Sequence, residues 1–229
     1  IIAEKDRRTT AIHEAGHALI AKLLPHADPV HKVTIVPRGV ALGLMQQLPE
    51  TDKHTHSKEY LLDRICIAFG GRAAEELIFG DQNTGAPSDI SSATNIARRM
   101  VCEWGMSERL GPLAYGRRDD AVFLGRELGH QRDYSESTAS MIDNEVKAIV
   151  EEQLNRARDL LAKHRAVLEQ VAEALLKEET LDSEQVDAIF RGEPYTPTGG
   201  SNGGSSGSGS GTTGGVAAGA TDQATTLLN

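Results

Sequence analysis

Apolar residues recur every three or four positions through most of the first 190 residues, which is the pattern of amphipathic helices. The first stretch covers residues 3–24 and ends there because Pro25 disfavours a helical conformation in the residue before it. Later stretches predict further helices at about 58–79, 89–105, 135–161, 165–177 and 183–190. In the helix that begins at Asp89, we expect Ile90 and Trp104 on the buried face. The second half of the chain is therefore predicted to be a helical bundle.

Two short stretches after the first helix have the composition of β-strands. Residues 31–36 are rich in β-branched side chains, and Pro37-Arg38-Gly39 separates them from a second stretch at 40–48. Together they predict a small antiparallel hairpin beside the first helix. Such a small sheet has exposed edges, with which an extended peptide can pair through main-chain hydrogen bonds. The predicted fold class is therefore mainly α, with a small β-hairpin and a C-terminal helical bundle.

Composition divides the chain into two parts at Gly192. Eleven of the 23 glycines lie in the last 38 residues, together with many serines and threonines. Such a segment buries too little apolar surface to offset the entropy lost on ordering. We expect residues 1–191 to form one domain and residues 192–229 to be a disordered tail.

The charge and cysteine content exclude several classes of protein. The formal net charge is −9 and no basic block is present, which argues against nucleic acid as a partner. The two cysteines, Cys66 and Cys102, lie in predicted helices and are expected to be small buried hydrophobes in a reducing compartment. No run of about 18 apolar residues and no signal peptide is present, so the chain is expected to be soluble. Because it begins already inside a helix, we expect a fragment of a longer protein.

The residues that could bind a metal ion or act in catalysis are concentrated in the first helix, in the sequence His13-Glu14-Ala15-Gly16-His17. Residues four apart lie on one face of a helix, so both imidazoles can bind one ion, as in the H-E-x-x-H zinc motif. Glu14 is turned about 100° from His13 and about 60° from His17, which suits it to act on water as a general base and not as a ligand.

Glycines in the first two helices indicate close helix packing. Gly16 costs roughly 1 kcal/mol relative to alanine within a helix, so it needs a packing or functional reason. Gly70 and Gly71 interrupt the helix predicted at 58–79 and imply contact with another backbone, which we expect to be that of the Gly16 helix.

A catalytic zinc needs a third protein ligand and an open position for water. The continuation H-E-x-x-H-x-x-G-x-x-H is excluded, because positions 20 and 23 hold Ile20 and Leu23. The candidates are Glu75, Glu76 and Asp89. Asp89 at the beginning of a helix can instead be an N-cap, so the residues alone leave these three open.

Several motifs in order closely resemble the protease domain of the FtsH family of membrane-anchored, ATP-dependent zinc metalloproteases. They are His13-Glu14-Ala15-Gly16-His17-Ala18, Lys32-Val33-Thr34-Ile35-Val36-Pro37-Arg38-Gly39, Ala41-Leu42-Gly43, Gly70-Gly71-Arg72-Ala73-Ala74-Glu75-Glu76, Thr84-Gly85-Ala86, Asp89-Ile90, Ala93-Thr94-Asn95-Ile96-Ala97-Arg98 and Gly105-Met106-Ser107. The resemblance implies one zinc ion bound by His13, His17 and Asp89. Glu75 is then expected to be an outer partner of a ligating histidine.

The resemblance also implies what the whole protein does. Family members form hexameric rings in the cell membrane, with the protease domain facing the cytoplasm, and degrade unfolded or membrane-extracted proteins. No G-x-x-x-x-G-K-[ST] phosphate loop occurs here, so ATP is expected to be used only by a module outside this chain. The alternative from another class is a non-catalytic hexamerisation or scaffold module in which zinc is structural. Glu14 distinguishes the two, because a structural site needs a fourth protein ligand and no base.

Overall fold

A computed structural model of the chain describes residues 3–37, 42–49, 55–81, 87–116 and 134–197. The fold of this part is mainly α, as the sequence predicts. Its helices and strands are α1 (Glu4–Leu23), β1 (Val30–Thr34), β2 (Leu44–Gln47), α2 (Lys58–Ala68), α3 (Gly70–Phe79), α4 (Pro87–Cys102), α5 (Glu136–Lys163), α6 (Arg165–Glu178), β3 (Thr180–Asp182) and α7 (Ser183–Arg191).

Helix α1 lies at the centre of the domain and packs mainly against α3 and α6. Acidic residues in its first turn and Lys22 in its last turn complement the helix dipole. From Thr10 to Ala21 nearly every residue is buried, so this half of the helix is covered on several sides at once. The side chains of His13, Glu14 and His17 therefore project from a helix whose position is fixed by packing.

The close approach of α1 and α3 is confirmed and depends on two glycines. A Cβ atom on Gly16 would lie 2.7 Å from the Cβ of Ala74, and one on Gly70 would lie 2.7 Å from the carbonyl oxygen of Gly16. Both distances are shorter than real Cβ contacts allow. The chain turns at Phe69, which ends α2 and begins α3, so the predicted helix at 58–79 is two helices.

The sheet has three antiparallel strands in the order β2-β1-β3. The predicted hairpin is present as β1 and β2, with Val33 opposite Met45. Strand β3 was not predicted: it is three residues long, follows α6, and places Leu181 opposite Val33. Within the described residues β2 pairs with one strand only, so it forms an edge of the sheet.

The C-terminal helices follow the predicted pattern, with two corrections in α4. Ser135 caps α5 through a hydrogen bond from the backbone of Thr138, as expected for a helix start at this position. Helix α4 begins at Pro87 and not at Asp89, which lies in its first turn, and it ends at Cys102 and not at Gly105. Ile90 and Trp104 are 37% and 39% exposed, so the predicted buried face was wrong at its two ends.

A buried ion pair that the sequence did not reveal joins α5 to α2. Asp63 is 1% exposed, and its carboxylate accepts a hydrogen bond of 2.7 Å from the guanidinium of Arg156. The backbone N–H of His26 donates to the other carboxylate oxygen at 3.1 Å. Removing the guanidinium of Arg156 would leave the buried Asp63 carboxylate without this charged partner.

Both cysteines are free thiols, and one is fully enclosed. Cys66 is buried, and burial raises the pKa of its thiol to about 12. Cys102 is partly exposed, so the expectation of two buried cysteines holds for Cys66 alone. None of the described helices is both long and apolar enough to span a bilayer.

The described chain continues for six residues beyond α7. The backbone N–H of Glu193 donates to the carbonyl of Ala188, the amide of Gln185 donates to the carbonyl of Thr196, and Tyr195 packs against the core. Residues 198–229 lie outside the described part. The division into a domain at 1–191 and a disordered tail at 192–229 stays a prediction.

We expect a chain truncated after Pro197 to keep the melting temperature of the full chain, because the removed composition buries little apolar surface. A chain truncated after Arg191 also loses the contacts of Glu193, Tyr195 and Thr196. It should melt lower, by about 2–4 °C for each ~1 kcal/mol lost. Calorimetry of the three proteins measures this. A lower melting temperature on removal of residues 198–229 alone would contradict the prediction from composition.

Candidate metal centre

Three side chains from α1 and α4 converge on one point. The Nε2 atoms of His13 and His17 are 3.0 Å apart, and the Oδ2 atom of Asp89 lies 3.2 Å from the first and 3.5 Å from the second. A tetrahedral zinc ion about 2.0–2.1 Å from each ligand requires ligand atoms roughly 3.3–3.4 Å apart. The three atoms therefore have the spacing and the chemistry of a zinc site.

The other nitrogen of each imidazole is held by a hydrogen bond. His13 Nδ1 lies 2.6 Å from Oε1 of Glu75, and His17 Nδ1 lies 2.7 Å from the carbonyl oxygen of Ile67. A carboxylate and a carbonyl can only accept, so each Nδ1 carries the proton and donates. Each Nε2 therefore faces Asp89 and is the ring nitrogen left to bind a metal ion.

Gly71 provides the space that the His13 ring occupies. A Cβ atom on Gly71 would lie 2.5 Å from both nitrogens of that ring. The sequence indicated that Gly70 and Gly71 serve helix packing, which is correct for Gly70 but misses this second role. No pattern in the sequence distinguishes the two glycines, because the contact is between α3 and a side chain of α1.

Buried charges of both signs shift the pKa values in this cluster. Burial alone lowers the pKa of His13, but the hydrogen bonds that its ring donates to Asp89 and Glu75, together with the charge of Glu14, raise it to about 10. Burial raises the pKa of Asp89, but the imidazoles of His13 and His17 have the larger, opposite effect. They hold the pKa of Asp89 well below its usual range. Without a metal, the cluster therefore retains a proton that a divalent cation must displace, and metal affinity falls as pH falls.

Glu14 lies beside the three converging atoms without being one of them. Its side chain is buried, and burial raises the pKa of its carboxyl group, although the imidazoles of His17 and His13 oppose the shift. The backbone N–H of Met45 donates a hydrogen bond to its carboxylate. A raised pKa brings a carboxylate closer to the value that suits proton transfer near neutral pH.

A family model described as Peptidase family M41 matches residues 1–189. The chain belongs to peptidase family M41. It is 48% identical over 202 residues to a protein of Nitrosococcus oceani and 52% identical over 196 residues to one of Myxococcus xanthus. Both are named ATP-dependent zinc metalloprotease FtsH, so the resemblance seen in the motifs is confirmed.

The aligned regions cover most of this chain but a smaller part of the relatives. They are 88% of the chain and 32% of the Nitrosococcus oceani protein, and 86% and 31% for Myxococcus xanthus. A third relative, ATP-dependent zinc metalloprotease FtsH 4 of Sorangium cellulosum, is 53% identical over 194 residues, which are 84% of the chain and 30% of that protein. The chain thus spans about a third of the length of these relatives.

Glu76 and His56, two further potential ligands in this M41 domain, are engaged elsewhere, and His54 lies outside the described residues. Glu76 forms ion pairs with Arg72 at 3.2 Å and with Arg158 at 2.8 Å. His56 stacks on Tyr60 with ring centroids 4.5 Å apart, and His54 is not among the described residues. Within the described chain, three potential ligands meet at His13, His17 and Asp89.

We expect Asp89→Asn to reduce zinc affinity by more than about 10²-fold, because it replaces a charged ligand. Glu75→Gln should reduce it by about 10 to 100-fold at most, since an outer partner only orients the imidazole and glutamine still accepts a hydrogen bond from His13. Titration with zinc against a competing chelator at fixed pH measures both. Glu76→Gln is the matched control and should leave the affinity unchanged. Loss of zinc in the Glu75 variant, with normal affinity in the Asp89 variant, would reverse the assignment.

Proposed function

We propose that this M41 domain is a zinc-dependent endopeptidase with one zinc ion held by His13, His17 and Asp89. The observation that carries this proposal is the arrangement of Glu14, a buried carboxylate beside three converging ligand atoms but outside their set. Three protein ligands leave the fourth position of a tetrahedral ion open, which is the composition of catalytic zinc sites. The printed names of the relatives, zinc metalloproteases, support the same choice of metal.

Several residues of the chain have distinct roles in the proposed hydrolysis of peptide bonds. When bound, zinc polarises the scissile carbonyl and lowers the pKa of water toward roughly 7. Glu14 takes the proton from the attacking water and passes it to the leaving amine, so no covalent intermediate with the protein is needed. Glu75 and the carbonyl of Ile67 keep the two imidazoles in the required orientation.

The free edge of β2 is the surface that we propose aligns the substrate. It begins next to Gly43, which contacts Glu14, and within the described residues no other strand pairs with its outer side. An extended peptide added to this edge would form main-chain hydrogen bonds that do not depend on its side chains. Such pairing suits an enzyme that cleaves many different unfolded proteins.

The alternative is a scaffold module in which zinc is structural. A closed structural site has four protein ligands, typically histidine and cysteine. Among the described residues the candidate centre offers three, and neither Cys66 nor Cys102 belongs to it. A closed structural site also needs no general base, whereas the buried carboxylate of Glu14 lies beside this centre. These observations favour the catalytic proposal.

The activity of the whole protein is a wider proposal that rests on the family resemblance. The relatives are about three times as long and are named ATP-dependent. We propose that the full protein is a membrane-anchored hexamer whose ATPase module, outside this chain, delivers unfolded or membrane-extracted proteins to the peptidase domain on the cytoplasmic side. This chain alone would then cleave peptides and loosely folded proteins without ATP.

We expect Glu14→Gln to retain zinc and to cleave casein about 10²- to 10⁴-fold more slowly, because glutamine keeps the shape of the side chain but cannot accept the proton. Zinc content by elemental analysis and the rate of casein cleavage should be measured on the same preparation. Glu151→Gln, on an exposed part of α5, is the control for the same chemical change and should be fully active. Normal activity of the Glu14 variant at full zinc occupancy would exclude this mechanism.

A further inference from the structure

The segment that enters β2 lies directly against the side chain of Glu14. A Cβ atom on Gly43 would lie 2.6 Å from Oε1 of Glu14, 2.7 Å from its Cγ and 2.8 Å from Cγ2 of Thr10. Distances below 3.0 Å are essentially never seen for real Cβ atoms. The space in which the Glu14 carboxylate lies therefore exists because position 43 has no side chain.

The same segment also supplies a hydrogen-bond donor to Glu14. The backbone N–H of Met45 donates to the carboxylate, and strand geometry explains why it is free to do so. Successive N–H groups of a strand point to opposite sides, and the N–H of Leu48 points toward β1, where it donates to the carbonyl of Pro29 at 3.2 Å. Met45, three residues earlier, therefore directs its N–H away from β1 and toward Glu14.

The backbone of Glu14 cannot move to relieve a contact at position 43. Its neighbours Ala11, Ala15 and Ala18 on α1 are fully buried, and Gly16 is locked against α3. Gly43 has no positive φ, so alanine is compatible with its backbone conformation. A methyl group at position 43 would therefore act by displacing the carboxylate and not by straining the chain.

We propose that Gly43 is a positioning residue for Glu14: the space at Gly43 and the Met45 N–H together fix the carboxylate against the metal centre. This inference rests on the proposed function in one respect, that Glu14 is the general base. In this proposal strand β2, which would align the substrate, also sets the position of Glu14. A displacement of about 1 Å in such a group can cost about 10²-fold in rate.

The first test is the activity of Gly43→Ala in two backgrounds. We expect kcat for a fluorogenic peptide to fall about 10²-fold, with KM and zinc affinity unchanged. In the Glu14→Gln background, where no base remains to be displaced, the same substitution should cause no further loss. Thr10→Ser removes the Cγ2 atom that a methyl group at position 43 would also meet, but it keeps the hydroxyl group that donates to the backbone carbonyl of Asp6. This substitution should therefore not restore the activity of Gly43→Ala.

Three results of this test would overturn the proposal. They are unchanged kcat in Gly43→Ala, an equal loss of kcat in the Glu14→Gln background, and loss of zinc from Gly43→Ala. If Glu14→Gln itself proves fully active, the proposed function fails, but the contact between Gly43 and Glu14 is still open to test without catalysis.

The second test measures that contact in the metal-free protein and needs no activity. Urea unfolding should show that Gly43→Ala lowers the midpoint in the presence of Glu14 by more than it does in the Glu14→Ala background, where the obstructing side chain is absent. If Gly43→Ala does not fold, folding of the Gly43→Ala/Glu14→Ala double variant supports the proposal. Equal destabilisation in both backgrounds, or failure of both to fold, shows that the methyl group acts on something other than Glu14 and overturns it.

Discussion

The geometry of the candidate metal centre depends on the close contact between α1 and α3 at Gly16 and Gly70. Side chains at these positions would hold the two helices apart, because each would penetrate the backbone or a methyl group of the other helix. The contact brings Gly71 beneath the His13 imidazole and Glu75 within 2.6 Å of its Nδ1. The turn between α2 and α3 then leaves the carbonyl of Ile67 facing His17. One packing constraint thus orients both histidines.

The charges in this centre explain why it suits a divalent cation. Asp89, Glu75 and Glu14 place three carboxyl groups around two imidazoles in a largely buried volume. Burying charges without compensation is costly, and in the metal-free protein this cost is reduced by a proton held near His13. A zinc ion would replace that proton with two positive charges at the point where the two Nε2 atoms and Asp89 Oδ2 meet. This arrangement of carboxyl groups and imidazoles could therefore hold a cation.

The sequence predicted the features that follow from local periodicity and from short motifs. The helices and the hairpin could be predicted because each depends on the spacing of neighbouring residues, and the contact of Gly16 with the Gly70 segment because glycines within helices indicate close packing. Strand β3 could not, because a three-residue strand pairs with β1 across about 146 intervening positions. The carbonyl of Ile67 and the spaces at Gly71 and Gly43 were likewise missed, since the sequence does not show which distant side chain a backbone group or a glycine meets in the fold. Among Glu75, Glu76 and Asp89, residue chemistry left the third ligand open, and the assignment depended on the family resemblance.

The most direct test of this account is X-ray absorption at the zinc edge of the zinc-loaded chain. Two imidazole nitrogens and one carboxylate oxygen should appear about 2.0–2.2 Å from the ion, with one further light atom from solvent and no sulfur. In Asp89→Asn the carboxylate contribution should be lost, whereas in Glu75→Gln the same set of four should persist. A sulfur at about 2.3 Å, or a fourth protein ligand that closes the site, would contradict the assignment of a catalytic centre to His13, His17 and Asp89.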